Sequence, residues 1–205
     1  KTKPTQHSVH ELRGIGIQPQ ALLCRTEVDL PADIKAKLAL FCDVPEEAVI
    51  SAQDVGTIYE VPLHFKSQGL DTFILRTLGL SSAGCDLAHW ERIVSTIKNP
   101  KAEVEIAIIG KYVSYEDSYK SLNEALYHGG FQHQLKVNIK WIEAEALEEP
   151  NGAALLDGAD GILVPGGFGD RGTRGMMVAA RYAREHKVPY FGICYGFQWS
   201  TVEFA

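Results

Sequence analysis

The residues best placed to do chemistry are Gly192-Ile193-Cys194-Tyr195-Gly196, a cysteine held between two glycines. The apolar run Val188-Pro189-Tyr190-Phe191-Gly192-Ile193 before it reads as a short buried strand, and Phe197–Phe204 after it can continue as a helix. A strand, a sharp turn and a helix in that order make a nucleophile elbow. The glycines remove side chains that would clash, and the nucleophile is lifted clear of the sheet. The sulfur then lies at a helix N-terminus, where free N–H groups and the macrodipole favour thiolate over thiol. A thiolate so placed would attack a carbonyl carbon. A lone cysteine is otherwise a buried, inert thiol, and the glycine spacing argues against that here.

A second loop answers the first. Pro165-Gly166-Gly167-Phe168-Gly169 follows the buried strand Ile162-Leu163-Val164, and consecutive glycines let backbone N–H groups approach a reaction centre closely. Standing alone it would be read as a Gly-rich turn. Beside a cysteine elbow it offers what thiolate attack needs: donors aimed at the developing oxyanion, from the amides of Tyr195 and Gly167.

These loops need a sheet to carry them. From Glu103 onward the chain alternates: a strand over Glu103–Ile109, a helix over Ser118–Gly129, and a strand over Leu135–Ile142. A short helix over Ala153–Asp157, a strand over Gly161–Val164, a helix over Arg174–His186 and the strand Val188–Ile193 follow. Alternation of this kind predicts a parallel sheet with helices on both faces and ligands at the carboxyl ends of its strands. Gly110-Lys111-Tyr112, Pro165-Gly166-Gly167 and Cys194 all fall at such ends. A polar, Pro-containing break at Lys98–Ala102 divides the chain into residues 1–98 and 103–205. The first part is less regular. Helices are expected over Ser8–Ile15, Asp33–Phe41 (capped by Asp33), Leu70–Leu78 and Leu87–Ile97, and short strands over Ala21–Cys24 and Val49–Ser51.

Composition bounds the rest. A chain of 205 residues with 45% hydrophobic and 22% charged residues is an ordinary globular sequence with room for two cores. A net charge of −6 argues against broad nucleic-acid binding but allows a local basic pocket for a phosphorylated small molecule. Cys24, Cys42, Cys85 and Cys194 are far apart, with no CxxC, as expected of reduced cytoplasmic thiols. No run is long enough to span a membrane. The histidines lack zinc-ligand spacing, and His128 and His133 are expected at the surface, flanking a Gly-Gly turn. The absence of an initiator methionine suggests an internal piece of a longer chain.

Pro165-Gly166-Gly167-Phe168-Gly169-Asp170-Arg171-Gly172 followed by Gly192-Ile193-Cys194-Tyr195-Gly196-Phe197-Gln198 resembles the class I glutamine amidotransferase domain of the CTP synthase family. Lys1-Thr2-Lys3-Pro4-Thr5-Gln6 resembles the pyrimidine-nucleotide segment of the same family's synthase domain. Ala36–Cys42, Gln53-Asp54-Val55, Ile58-Tyr59 and Gly110-Lys111-Tyr112 resemble further family segments in the family's order. The resemblance therefore runs the whole length. It implies an α/β fold: the C-terminal part of a P-loop-type, Rossmann-like synthase (amidoligase) domain with a linker helix over 1–98, then the N-terminal half of a flavodoxin-like amidotransferase domain over 103–205.

By that resemblance Cys194 is the glutamine nucleophile, Gly167 serves the oxyanion hole, and Tyr195, Gly196, Phe197 and Gln198 form the substrate turn. The family's commoner turn is Leu-Gly-Met-Gln, so Tyr195 and Phe197 are bulky departures. Lys1, Thr2, Lys3, Pro4, Thr5 and Gln6 would bind UTP, and CTP as feedback inhibitor. Read physically, Lys1 and Lys3 alternate along an extended segment and present two point charges to a triphosphate, and Gln6 can both donate and accept. The alternative is a solvated basic terminus. Lys37 would reach a nucleotide phosphate from a neighbouring subunit, or be an exposed helix lysine. Gln53, Asp54 and Val55 would meet the adenine of ATP. Phe168 and Arg171 fall where GTP activates the family, and the resemblance implies a structural or GTP-linked role for Lys111 and Tyr112; Phe168 reads equally as core and Arg171 as a loop charge.

The resemblance further implies Mg2+ with ATP, a homo-tetramer, filaments and a cytoplasmic location, with no nucleic-acid or membrane partner. The catalytic histidine and its glutamate would follow Ala205, and the P-loop and magnesium carboxylates would precede Lys1, so no metal ligand is expected within the chain. The chain alone should then form no CTP. The alternatives are another class I amidotransferase feeding a different synthase, a non-catalytic nucleotide-binding or filament-forming relative, and a generic thiol hydrolase.

Overall fold

The computed structural model describes residues 1–81, 84–111 and 116–205. It divides into two compact units, Lys1–Ser95 and Thr96–Ala205.

In the first unit, α1 (Lys3–Gly14), β1 (Leu22–Thr26), α2 (Ala32–Cys42) and β2 (Val49–Gln53) are followed by α3 (Val61–Ser67) and α4 (Leu70–Thr77). β1 and β2 pair in parallel, Leu22 opposite Val49 and Thr26 opposite Gln53. Val9 of α1, Leu38 and Cys42 of α2, Leu22 and Val49 form the core between them. α5 (Ala88–Lys98) runs across the boundary between the units.

Two local expectations for this unit are corrected. The opening segment is not extended: α1 begins at Lys3, with Thr2 as its N-cap and Pro4 in its first turn. Proline is tolerated there because first-turn amides have no intrahelical acceptor. Lys1 and Lys3 are therefore not alternate residues of a strand. Nor does Asp33 cap α2. The N-cap is Pro31, at φ −59°, ψ 152°, whose carbonyl accepts from the amides of Ile34 and Lys35 at 3.0 Å each. Asp33 sits in the first turn, where its charge complements the helix dipole.

The second unit holds β3 (Ala102–Gly110), α6 (Lys120–His133), β4 (Leu135–Glu143), β5 (Gly161–Val164), α7 (Thr173–His186), β6 (Tyr190–Gly192) and α8 (Tyr195–Phe204). Its four strands are parallel in the order β4-β3-β5-β6. The central strands carry near-continuous apolar runs, as strands covered on both faces must; all four residues of β5 are buried. Ala107, Ile109, Val164, Leu156, Met176 and Ala179 fill the core.

His128 and His133 are exposed, but they do not flank a turn: α6 runs straight through Gly129-Gly130. Gly130 is buried because a Cβ there would lie 2.7 Å from Val137 Cγ2 and 2.9 Å from the Leu135 carbonyl. Packing against β4, not chain reversal, requires the glycine. The short helix expected over Ala153–Asp157 is a 3-10 segment, Gly152–Leu156. Among the described residues no helix is long and apolar enough to cross a membrane.

Candidate active site

The sheet order of the second unit places a topological switch between β3 and β5: the chain leaves β3 for β4 on one side and returns to β5 on the other. Open parallel sheets bind ligands in the crevice outside the carboxyl ends at such a point. Lys111 follows β3 there, and Pro165-Gly166-Gly167 follows β5. Tyr112, singled out with Lys111, lies outside the described residues.

Cys194 enters the same crevice from β6. It is the N-cap of α8, with φ 50° and ψ −106°, and it is exposed. A non-glycine residue with positive φ is strained, and the neighbouring glycines show what maintains it. A Cβ on Gly192 would lie 2.6 Å from the Phe197 amide nitrogen, and one on Gly196 would lie 2.1 Å from the Val164 carbonyl oxygen. The turn is closed by backbone on both sides. Gly196 donates to the Ile193 carbonyl at 3.0 Å, and Gln198 donates to the Cys194 carbonyl at 3.1 Å. The Tyr190 hydroxyl donates to the Gly196 carbonyl at 2.9 Å from beneath.

The Gly-rich loop lies against the cysteine. A Cβ on Gly166 would be 3.4 Å from Cys194 Cβ and 4.0 Å from its Sγ. Gly167 has φ 153°. Among the described residues, the amides of Gly167 and Tyr195 donate no hydrogen bond, the condition a donor pair must meet to receive a developing oxyanion. Burial, first of all, holds the Cys24 and Cys42 thiols above their usual range.

Lys111 is almost fully buried, at 4% exposure. Its Nζ donates to the Gly169 carbonyl at 2.6 Å and the Phe168 carbonyl at 3.4 Å, and lies 5.0 Å from the centre of the Tyr195 ring. Burial lowers its ammonium below the usual lysine range; Arg171 adds to this, and Asp170 and Glu145 oppose it. Arg171 in turn donates to the Lys111 carbonyl and pairs with Glu145 at 3.4 Å. The Tyr195 ring packs between Phe168, at 5.5 Å, and the edge of Trp199, at 5.6 Å. Phe168 is 74% exposed, so the core alternative for it is excluded. Phe197 and Gln198 are exposed on the first turn of α8.

In the first unit Gln53, Asp54 and Val55 follow the carboxyl end of the two-stranded sheet and line a cleft of ≈ 360 Å³ with Arg25, His64 and Phe65. Asp54 accepts from Arg25 at 3.0 Å and continues the ladder by donating its amide to the Thr26 carbonyl. Lys1, Lys3 and Lys37 are exposed and do not line that cleft. Thr2 is buried, and its hydroxyl accepts from the Gln6 amide at 3.1 Å, while Pro4 and Thr5 lie in the first turn of α1. The middle of β2 is served by Gln68, whose side chain accepts from the Ser51 amide and donates to the Ser51 carbonyl, both at 2.8 Å.

Sequence reasoning missed Gln68, the Tyr190 strut and the grip of Lys111 on the Gly-rich loop. The last had a signal: a lysine directly after an apolar strand, in a crevice otherwise built of glycines.

Residues 1–80 match the family described as CTP synthase N-terminus, and residues 115–205 match glutamine amidotransferase class-I. The chain is 60% identical over its whole length to a CTP synthase of Acidobacterium capsulatum and 59% identical to one of Koribacter versatilis, covering 37% of each. It is 55% identical to a CTP synthase of Methylobacterium radiotolerans, covering 38% of it. A solved structure, the glutaminase domain of Trypanosoma brucei CTPS with bound acivicin, is 40% identical over 49% of this chain and 39% of that one, with a TM-score of 0.46. The chain thus spans well under half the length of these relatives. It joins a CTP synthase N-terminus segment to a class-I glutamine amidotransferase segment, and from end to end it is similar to CTP synthases.

Proposed function

We propose that the chain is part of a CTP synthase, with glutamine cleaved at Cys194 and its nitrogen used to aminate UTP at the expense of ATP. The observation that carries the reading is the backbone of Cys194: a strained elbow at a helix N-terminus, facing a Gly-rich loop, in a chain whose other unit matches the CTP synthase N-terminus.

In this reading the Cys194 sulfur bonds to the carboxamide carbon of glutamine, and the carbonyl electrons move onto oxygen toward the amides of Gly167 and Tyr195. The carbon–nitrogen bond then breaks, ammonia leaves with a proton from a general acid, and water cleaves the thioester to glutamate and free thiol. Gly196, Phe197 and Gln198 form the floor on which glutamine lies. Residues 103–205 belong to a flavodoxin-like amidotransferase domain. Residues 1–98 belong to a P-loop-type, Rossmann-like synthase domain, with Lys1, Thr2, Lys3, Pro4, Thr5, Gln6 and Lys37 on the UTP or CTP side and Gln53, Asp54 and Val55 at the adenine of ATP. There ATP phosphorylates the uracil 4-oxygen, and ammonia displaces the phosphate. Phe168 and Arg171 would meet GTP as activator. Mg2+ with ATP would be held by carboxylates in the part of the relatives that this chain does not span. A cytoplasmic homo-tetramer, assembling into filaments, completes the reading.

The test is covalent labelling of the full-length enzyme by a diazoketone analogue of glutamine. Mass spectrometry should place the adduct on Cys194, with protection by glutamine and none on Cys194→Ala; a full-length wild-type enzyme that does not react would overturn the reading. UTP-dependent ATP hydrolysis by the full-length enzyme separates it from an amidotransferase that feeds another synthase.

A further inference from the structure

A reciprocal clamp ties the end of β3 to the loop after β5, across the crevice where the sheet order switches. The Lys111 ammonium crosses to the loop and donates to the carbonyls of Phe168 and Gly169. The Arg171 guanidinium crosses back and donates to the Lys111 carbonyl. The lysine's alkyl chain runs beneath the loop, its Cδ 3.9 Å from where a Gly167 Cβ would stand. Its ammonium also faces the ring of Tyr195, the residue after the nucleophile. One buried side chain therefore reaches both the Gly-rich loop and the ring of Tyr195.

The energetics favour a positioning role. A glycine-rich loop has high conformational entropy to lose, and two carbonyls turned toward a buried ammonium restrict it strongly, since hydrogen bonds to a charged donor are about twice as strong as neutral ones. Those carbonyls belong to the two residues that follow Gly167, so the hold of Lys111 on them limits the backbone freedom of the segment that carries the Gly167 amide. The cation over the Tyr195 ring couples that loop to the first turn of α8.

We propose that Lys111 is a positioning residue for the oxyanion loop: it sets the Gly167 amide relative to Cys194, and its catalytic consequence rests on the glutaminase reading above. Lys111→Met keeps the volume of the stem and removes the donor, while Lys111→Arg restores a donor. Two rates are compared for each variant of the full-length enzyme: alkylation of Cys194 by iodoacetamide, which needs only an accessible thiolate, and labelling by the diazoketone analogue of glutamine, which needs the substrate carbonyl held against the loop. Lys111→Met should label about 10- to 100-fold more slowly than wild type, with iodoacetamide alkylation changed by less than about twofold, and Lys111→Arg should recover part of the loss. Hydrogen exchange of the peptide spanning residues 165–172 should speed up in Lys111→Met, with that of α7 unchanged. Unchanged exchange in that loop, or an equal fall in both rates, would overturn the clamp. A full-length wild-type enzyme that the analogue does not label overturns the glutaminase reading instead, and the exchange measurement still decides the clamp.

Discussion

Gly196→Ala tests the geometry of the elbow most directly. A Cβ at this position would stand 2.1 Å from the Val164 carbonyl oxygen, 2.8 Å from its carbonyl carbon and 2.9 Å from its Cβ. All three atoms belong to a fully buried residue of β5, so no flexible side chain can yield. Ordinary contact begins at 3.4 Å, so the start of α8 must move out by about 1.3 Å, the difference between 3.4 and 2.1 Å. That shift carries Cys194 with it and pulls the Gly196 carbonyl from the Tyr190 hydroxyl. Overpacking of this kind costs about 1–3 kcal/mol, and misplacing a reacting group by ~1 Å costs about 100-fold in rate. The expected outcome is a lower unfolding temperature for the second unit and labelling of Cys194 by the glutamine analogue slowed about 100-fold. Gly129→Ala is the contrast, because nothing lies within 4 Å of a Cβ there and the residue is inside α6. It should gain up to about 1 kcal/mol from helix propensity and label at the wild-type rate. A Gly196→Ala chain that melts and labels like wild type would refute the close-packed elbow.

Two further outcomes follow from single side chains. Burial, partly offset by a hydrogen bond with Ser200, pushes the Tyr190 phenol up from 10.0 to about 12. The folded chain thus keeps its proton where the unfolded chain has lost it, so Tyr190's contribution is complete below pH 10 and is lost as pH rises through about 12. Thermal melts across that window should show the second unit losing stability; Tyr190→Phe should flatten the loss and cost about 1 kcal/mol at neutral pH for the bond to Gly196. An identical alkaline limb in the variant would count against this. Gln68→Leu should destabilise the first unit by about 2 kcal/mol in urea melts, because it removes the acceptor of the Ser51 amide and one of the two partners of the Ser51 carbonyl, His64 being the other, at a fully buried residue. A loss well under ~1 kcal/mol would mean that water replaces the amide there.

Some of this was written along the chain. The elbow was legible because its requirements are local: two glycines, each two residues from a cysteine, between an apolar strand and a helix. The parallel strands were legible through their apolar runs, β5 with its expected ends. Short-range periodicity was less reliable where a helix start was in question. The alternation of Lys1 and Lys3 suggested an extended segment, but Pro4 is permitted in a first turn and the helix takes Lys3 onward. Asp33 looked like a cap, yet the Pro31 carbonyl already receives the first amides. At Gly129-Gly130 the pair suggested a turn, while the reason for Gly130 is a strand residue, Val137, seven positions later.

What the sequence determined by itself is the identity of the reactive group and the turn that carries it, since both depend on residues within hydrogen-bonding reach along the chain. Only the tertiary structure decided what stands opposite Cys194. The sheet order β4-β3-β5-β6 brings the end of β3 beside the end of β5, and so sets Lys111 against carbonyls 57 and 58 residues away. No local pattern encodes that distance. A buried ammonium must find acceptors where the fold provides them, and here the fold provides the loop that faces the cysteine.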